Sequence, residues 1–136
     1  MAKTSGLGWT TLSVDDSTGT PRDVKNDVTS LDLSTPRGDL DVTGLDSLAM
    51  ERLLGLADST VSLEMAFNPA ANQQHAVFRT VSSTSVARTV SLEHAAQTLA
   101  MEMIPTSYDL SRGTDAALTA KTELLLADGT APTWGP

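Results

Sequence analysis

The chain has no cysteine, and that excludes disulfides, a thiolate nucleophile and thiolate metal sites at once; such a composition suits a reducing cytoplasm. Aromatic residues are scarce at 4%, and the two tryptophans, Trp9 and Trp134, sit near the ends. The core must therefore be built from Leu, Val, Met and Ala. Basic residues are also few, 9 against 17 acidic ones, for a formal charge of -8. Counterion release from nucleic acid needs clusters of Lys and Arg, so general nucleic-acid binding is disfavoured. No apolar run approaches a membrane span, and Met1 to Thr10 lacks the apolar stretch of a signal peptide, so no membrane partner is expected.

What is there favours strands. Ser and Thr make up roughly a quarter of the 136 residues, a bias toward sheet and turn over long helices. The size fits a single domain over 1–136 with a core of its own. The cleanest signal is Thr60 to Phe67, where Val61, Leu63, Met65 and Phe67 alternate with polar or small residues in the period of a half-buried strand. Asn68 then offers a capping oxygen, and Pro69 suits a first helical position, so a helix is predicted from there to Val81. Its apolar stripe is Gln74, Val77, Phe78 and Val81.

The same alternation predicts strands at Trp9 to Val14, Val24 to Leu33, Val86 to Leu92, Leu99 to Ile104 and Leu118 to Leu126. Pro105 should end the fourth of these, because it cannot donate to a ladder, leaving Thr106 to Asp115 as a connector. Asp46 to Leu56 reads as a short second helix with Leu48, Leu53, Leu54 and Leu56 apolar. Met1 to Gly8 reads as a flexible arm, and the Trp134 ring should need burial against this or another subunit.

Ser34 to Leu45 is broken by Pro36, Gly38 and Gly44, yet Leu40 and Val42 alternate with Asp39 and Asp41 as though the segment becomes extended when paired. It is either a solvated hairpin loop or a flap that needs a partner. Asp39, Asp41, Thr43 and Gly44 match the first half of an EF-hand calcium loop, but the twelfth position would be Met50, with Glu51 one residue late. No metal site is therefore assigned.

Candidate chemistry is thin. His75 and His94 lack any paired spacing and read as surface residues. No G-x-S-x-G elbow occurs. The carboxylate pairs Asp15 with Asp16 and Asp39 with Asp41 sit in loops without an aromatic pocket, a poor basis for glycosidase chemistry. No catalytic residue and no cofactor are expected, and an enzyme is disfavoured.

Several segments in order, Ser34-Thr35-Pro36-Arg37-Gly38, Asp41-Val42-Thr43-Gly44-Leu45-Asp46, Phe67-Asn68-Pro69-Ala70, Ser85-Val86-Ala87-Arg88 and Ala127-Asp128-Gly129-Thr130, give the chain a resemblance. It resembles the tail tube (major tail) proteins of long-tailed phages of actinobacteria. That resemblance implies a mainly β, α+β fold, a β-sandwich of curved antiparallel sheets with one flanking amphipathic helix and a short second one. It implies stacked hexameric rings forming a hollow conduit for DNA, in a virion tail assembled in the host cytoplasm. The partners would be further copies, tape measure, tail terminator and distal tail proteins, with DNA passing through unbound. Ser34 to Leu45 would be the inter-ring loop, with Arg37, Asp39, Leu40, Asp41 and Val42 in contact. Six copies at -8 give about -48, a field that repels phosphate; Glu93, Glu102 and Glu123, each on a strand face opposite apolar neighbours, are the lumen candidates. The competing expectation is a virion decoration or adhesive module that protects its sheet edges.

Overall fold

A computed structural model describes residues 3–136. Among these residues, nine strands make two antiparallel sheets, and there is one short helix. The larger has seven strands in the order β2-β1-β7-β8-β9-β6-β3: β1 (Thr11–Asp15), β2 (Pro21–Asp23), β3 (Val28–Ser34), β6 (Thr60–Ala66), β7 (Arg88–His94), β8 (Gln97–Arg112) and β9 (Leu118–Leu126). The smaller pairs β4 (Arg37–Asp41) with β5 (Arg52–Ala57). The helix, α1, spans Gln74–Phe78.

One face of the large sheet is apolar because its strands alternate. Leu12 and Val14 on β1, Val90 and Leu92 on β7, Leu99, Met101 and Met103 on β8, and Val61, Leu63 and Met65 on β6 are all buried. Val77 and Phe78 of α1, with Val24, close over this face. The expected sandwich of two facing sheets is thus replaced by a continuous ladder from β2 to β3 that curls on itself. Trp9 and Leu12 from one end of that ladder and Val28 and Leu31 from the other line a common cavity of about 360 Å³.

Four expectations are corrected. The strand expected at Val24 to Leu33 starts at Val28; before it, Val24 and Asp27 are buried in a turn where Asp27 N donates to Val24 O (3.0 Å). The helix expected from Pro69 begins only at Gln74. Asn68 does accept the Ala70 amide (3.1 Å), but Asn72 takes a left-handed φ of 63° that no helix can continue through. The buried helix-start amide of Gln74, which has no partner within the helix, is met instead by the Asp27 carboxylate (3.3 Å). The second helix expected at Asp46 to Leu56 is absent, and β5 occupies its C-terminal half. Finally, Pro105 does not end its strand. β8 stops pairing with β7 at Met103, and its ladder to β9 shifts register between Pro105 and Ser107. The proline lies where no β7 acceptor remains, as the edge and bulge rule requires.

Arg88 is fully buried. Its guanidinium donates to the carbonyl of Val77 and to Thr80 Oγ1 (3.1 Å), with a longer contact to Asp15 O (3.4 Å). It thus ties the C-terminal end of α1 to β1 and β7, a favourable place for a cation. Burial pushes its pKa down, and Asp16 and Asp15 oppose that shift. Arg88→Met should leave the Val77 carbonyl without its donor and lower unfolding free energy by about 3 kcal/mol, read from the urea midpoint at neutral pH; a loss below about 1 kcal/mol would mean that water replaces the guanidinium.

Candidate functional site: the projecting hairpin and the acidic sheet face

β4 and β5 prolong the β3 and β6 ribbon beyond the edge of the large sheet. Ser34 pairs with Thr60 at the end of that ribbon. The break comes at Thr35 and Pro36, whose ring has no N–H to give. Pairing resumes with Arg37 opposite Ala57, and the Asp58 amide bonds Pro36 O (3.0 Å) at the base. The ladder then runs through Asp39 opposite Leu54, Leu40 opposite Leu53 and Asp41 opposite Arg52. Val42 N to Glu51 O (3.0 Å) extends it.

This hairpin carries apolar surface that the subunit does not bury. Leu45 and Leu48 at its tip are fully exposed, Leu56 is 90% exposed, and Leu40, Leu53 and Leu54 are more than half exposed. The spacing of these leucines suggests a helix packed on a core, yet no core lies beneath them. Of the expected contact residues, Arg37 is held inside the hairpin, donating from Nε and Nη2 to Gly55 O (3.0 and 2.8 Å). Asp39 faces Arg52 at 3.6 Å, an exposed pair that contributes little. Asp41 accepts from both the amide and hydroxyl of Thr43 (3.0 and 2.7 Å), the hydroxyl first among the causes that lower its pKa. These bonds form a turn around that carboxylate. Among the described residues, no group of three or more His, Asp or Glu side chains is arranged to hold a metal ion.

The second surface is the face of the large sheet opposite the core. Register puts Glu93 across from Thr11 and Thr98, Glu102 across from Thr89, and Glu123 across from Ser62 and Ser107. All three therefore project from the same polar side. Two cross-strand rows run beside Glu123: Asp32, Ser62, Glu123 and Ser107 in one, Ser30, Glu64, Lys121 and Asp109 in the next. Lys121 stands among four carboxylates there. Glu102 accepts from Thr89 Oγ1 and lies beside the C-terminal segment at Thr130 and Pro132. Glu123 is exposed.

The histidines correct the expectation of two surface residues, because both are half-buried. His75 lies against Phe67, and its Nδ1 meets the Tyr108 hydroxyl at 3.0 Å. That hydroxyl also accepts from Gln74 Nε2 (2.8 Å), and burial pushes the Tyr108 pKa up against this bond. His94 stacks on Trp9 at 4.7 Å and donates from Nε2 to Ser5 O (2.8 Å), so the exposed segment 3–8 is anchored at that point. Met1 and Ala2 of the expected arm lie outside the described residues. Trp134 is 51% exposed rather than buried, while its neighbour Gly135 exchanges two backbone bonds with Thr98 (2.9 and 2.8 Å). Asp27, which organises the polar network around α1 together with Tyr108, carries no sequence signal; it is an isolated residue in a segment read as strand.

No protein-family model matches the chain, and no curated protein matches it in sequence. Solved structures do share its fold. A chain from the tail of an empty gene transfer agent (GTA) particle, obtained by helical refinement with C6 symmetry, aligns at a TM-score of 0.74 and 16% identity, over 98% of this chain and 100% of that one. A chain from the virion of a native GTA particle aligns at 0.68 and 15% identity, over 98% and 100%. No helix among the described residues is long and apolar enough to cross a membrane.

The carboxylate pair at Asp15 and Asp16 is spoken for by the β1–β2 turn. Asp16 Oδ1 accepts from Thr18 Oγ1 (2.7 Å) and from the amides of Thr18 and Thr20 (2.9 and 3.0 Å), and Oδ2 faces Arg22 at 3.3 Å. The Thr18 hydroxyl leads in lowering its pKa from 3.8 to about 2, partial burial opposing, with the Thr20 and Thr18 amides and Arg22 adding to the fall. A general acid needs the opposite shift. Because the folded pKa is depressed, the stabilisation is complete above about pH 4 and is lost as pH falls toward about 2. Asp16→Ala should therefore be less stable than wild type at pH 6, and the gap should close across that window when urea midpoints are compared; a gap independent of pH would assign the effect to packing.

Proposed function

We propose that the chain is a tail tube subunit, assembling into hexameric rings that stack into a hollow conduit through which DNA passes. The observation that carries this reading is the whole-length fold likeness to a chain of a C6-symmetric tail. Two features agree with it. An apolar hairpin with no core beneath it is costly in a free monomer and sensible at an interface. A sheet with one buried and one acidic face suits a wall, the core side turned outward and the carboxylates turned to a bore where they repel phosphate.

On this reading Ser34 to Leu45, now seen as the first half of the hairpin, reaches the neighbouring ring. Segment 1–8 adds an arm to that contact, and Glu93, Glu102 and Glu123 line the lumen. Tape measure, terminator and distal tail proteins would meet the two ends of the tube. The chemistry required of the subunit is self-recognition, and turnover of a substrate plays no part in it.

Negative-stain microscopy and light scattering over a concentration series test the assembly directly. Rings about six subunits in mass, or hollow filaments, are expected; a homogeneous monomer or trimer at every concentration would overturn the proposal in favour of a decoration module. The absence of native cysteine allows a sharper test of the lumen. In Glu123→Cys tubes, a small maleimide should react while a bulky polymer-linked maleimide should not, although both label the free subunit. Equal labelling of tubes by the bulky reagent would put Glu123 on the outside.

A further inference from the structure

The hairpin is two-faced, and its faces differ in chemistry. Residues directly opposite in an antiparallel ladder share a face, as do residues two apart on one strand. Leu40 and Leu53 are opposite one another, and Val42 and the glycines Gly38 and Gly55 fall on their side. Glu51, opposite Val42, turns its carboxylate to Ser47 Oγ (2.7 Å). The other face carries Asp39, Asp41 and Arg52 with Leu54.

The two glycines are not required by the hairpin itself. Neither is among the positive-φ glycines. A Cβ built on Gly38 would meet nothing nearer than 3.9 Å, and one on Gly55 nothing nearer than 3.4 Å, ordinary contact distances. The register shift between Arg37 and Asp39 therefore does not demand glycine on steric grounds. In a strand interior glycine weakens the ladder and leaves a bare strip of backbone, a cost that is offset when another chain approaches closely. That strip lies beside Leu40 and Leu53.

Resting on the tube reading, we propose that the hairpin docks on a second copy of the chain through this face and the tip, with Leu40, Val42 and Leu53 buried in the contact and Gly38 and Gly55 admitting close backbone approach. Asp39 and Arg52 remain on the outer, wet side. The amount of surface agrees with a like partner. Leu40, Val42 and Leu53 on this face, with Leu45 and Leu48 at the tip, expose on the order of 600 Å², within the range of one partner's share of a standard interface. A single arm can thus account for a stable contact between subunits.

The test compares assembly thresholds, by sedimentation across a concentration series, for wild type, Gly38→Val, the double variant Leu40→Ser with Leu53→Ser, and the double variant Asp39→Ala with Arg52→Ala. Urea unfolding of dilute subunits should be alike in all four, since the hairpin lies outside the core. Gly38→Val and the leucine variant should raise the threshold at least about tenfold. The charge variant should move it by less than about twofold. If wild type itself never assembles, the tube reading fails and this docking with it. If wild type assembles and the leucine variant does so at the same threshold, the docking face is wrong while the tube reading stands. Unaltered assembly of Gly38→Val would remove the close approach, and an equal loss in the charge variant would overturn the restriction to one face.

Discussion

Burial of one face of the seven-stranded sheet beneath Val77 and Phe78 is the constraint from which the rest of the structure follows. A strand alternates, so a sheet with one apolar face has one polar face left over. Here the remainder is mostly hydroxyls and carboxylates, with Lys121 and the Ile104–Leu125 pair among them. The cover is small, a helix of five residues, and too short to be stable alone. Asp27 meets its first amide, and Arg88 holds its last turn. Both are buried polar groups whose bonds are internal, so the lid on the core is set by a few specific contacts and little by helix propensity.

Legibility in the sequence tracked how much of each segment's fate was decided by that same burial. β1, β6, β7 and β9 follow from alternation because their apolar side chains enter the core. Asp46 to Leu56 misled for the complementary reason. Leu48, Leu53, Leu54 and Leu56 have a helical spacing, but they face no core, so the period that assigns a buried face had nothing to report. Asn68 and Pro69 are a sound helix start that a left-handed Asn72 defers by one turn. Pro105 is tolerated because β7 has already ended, a fact about a neighbouring strand that no local pattern contains.

The candidate surfaces were legible by halves. Arg37 to Val42 announces an extended flap through its own alternation, whereas its partner strand was hidden among leucines. Glu93, Glu102 and Glu123 could be put on polar strand faces individually. That they share one face required the register across β7, β8 and β9, which depends on the bulge after Pro105. The half-buried histidines were out of reach, since their neighbours Phe67, Tyr108 and Trp9 come from distant parts of the chain.

The separation of the two sheets has a bearing on how such a chain can diversify. The hairpin hangs from the ribbon at Pro36 and Asp58 and has its own ladder. Its sequence is thus free to drift without re-solving the packing around Phe78. On the tube reading it is an exchangeable cassette: grafting a different hairpin would change which copies recognise one another while leaving subunit folding alone. Two lineages that share this scaffold could then build in one cell without mixing their subunits, with sorting encoded in about twenty residues that the fold does not use.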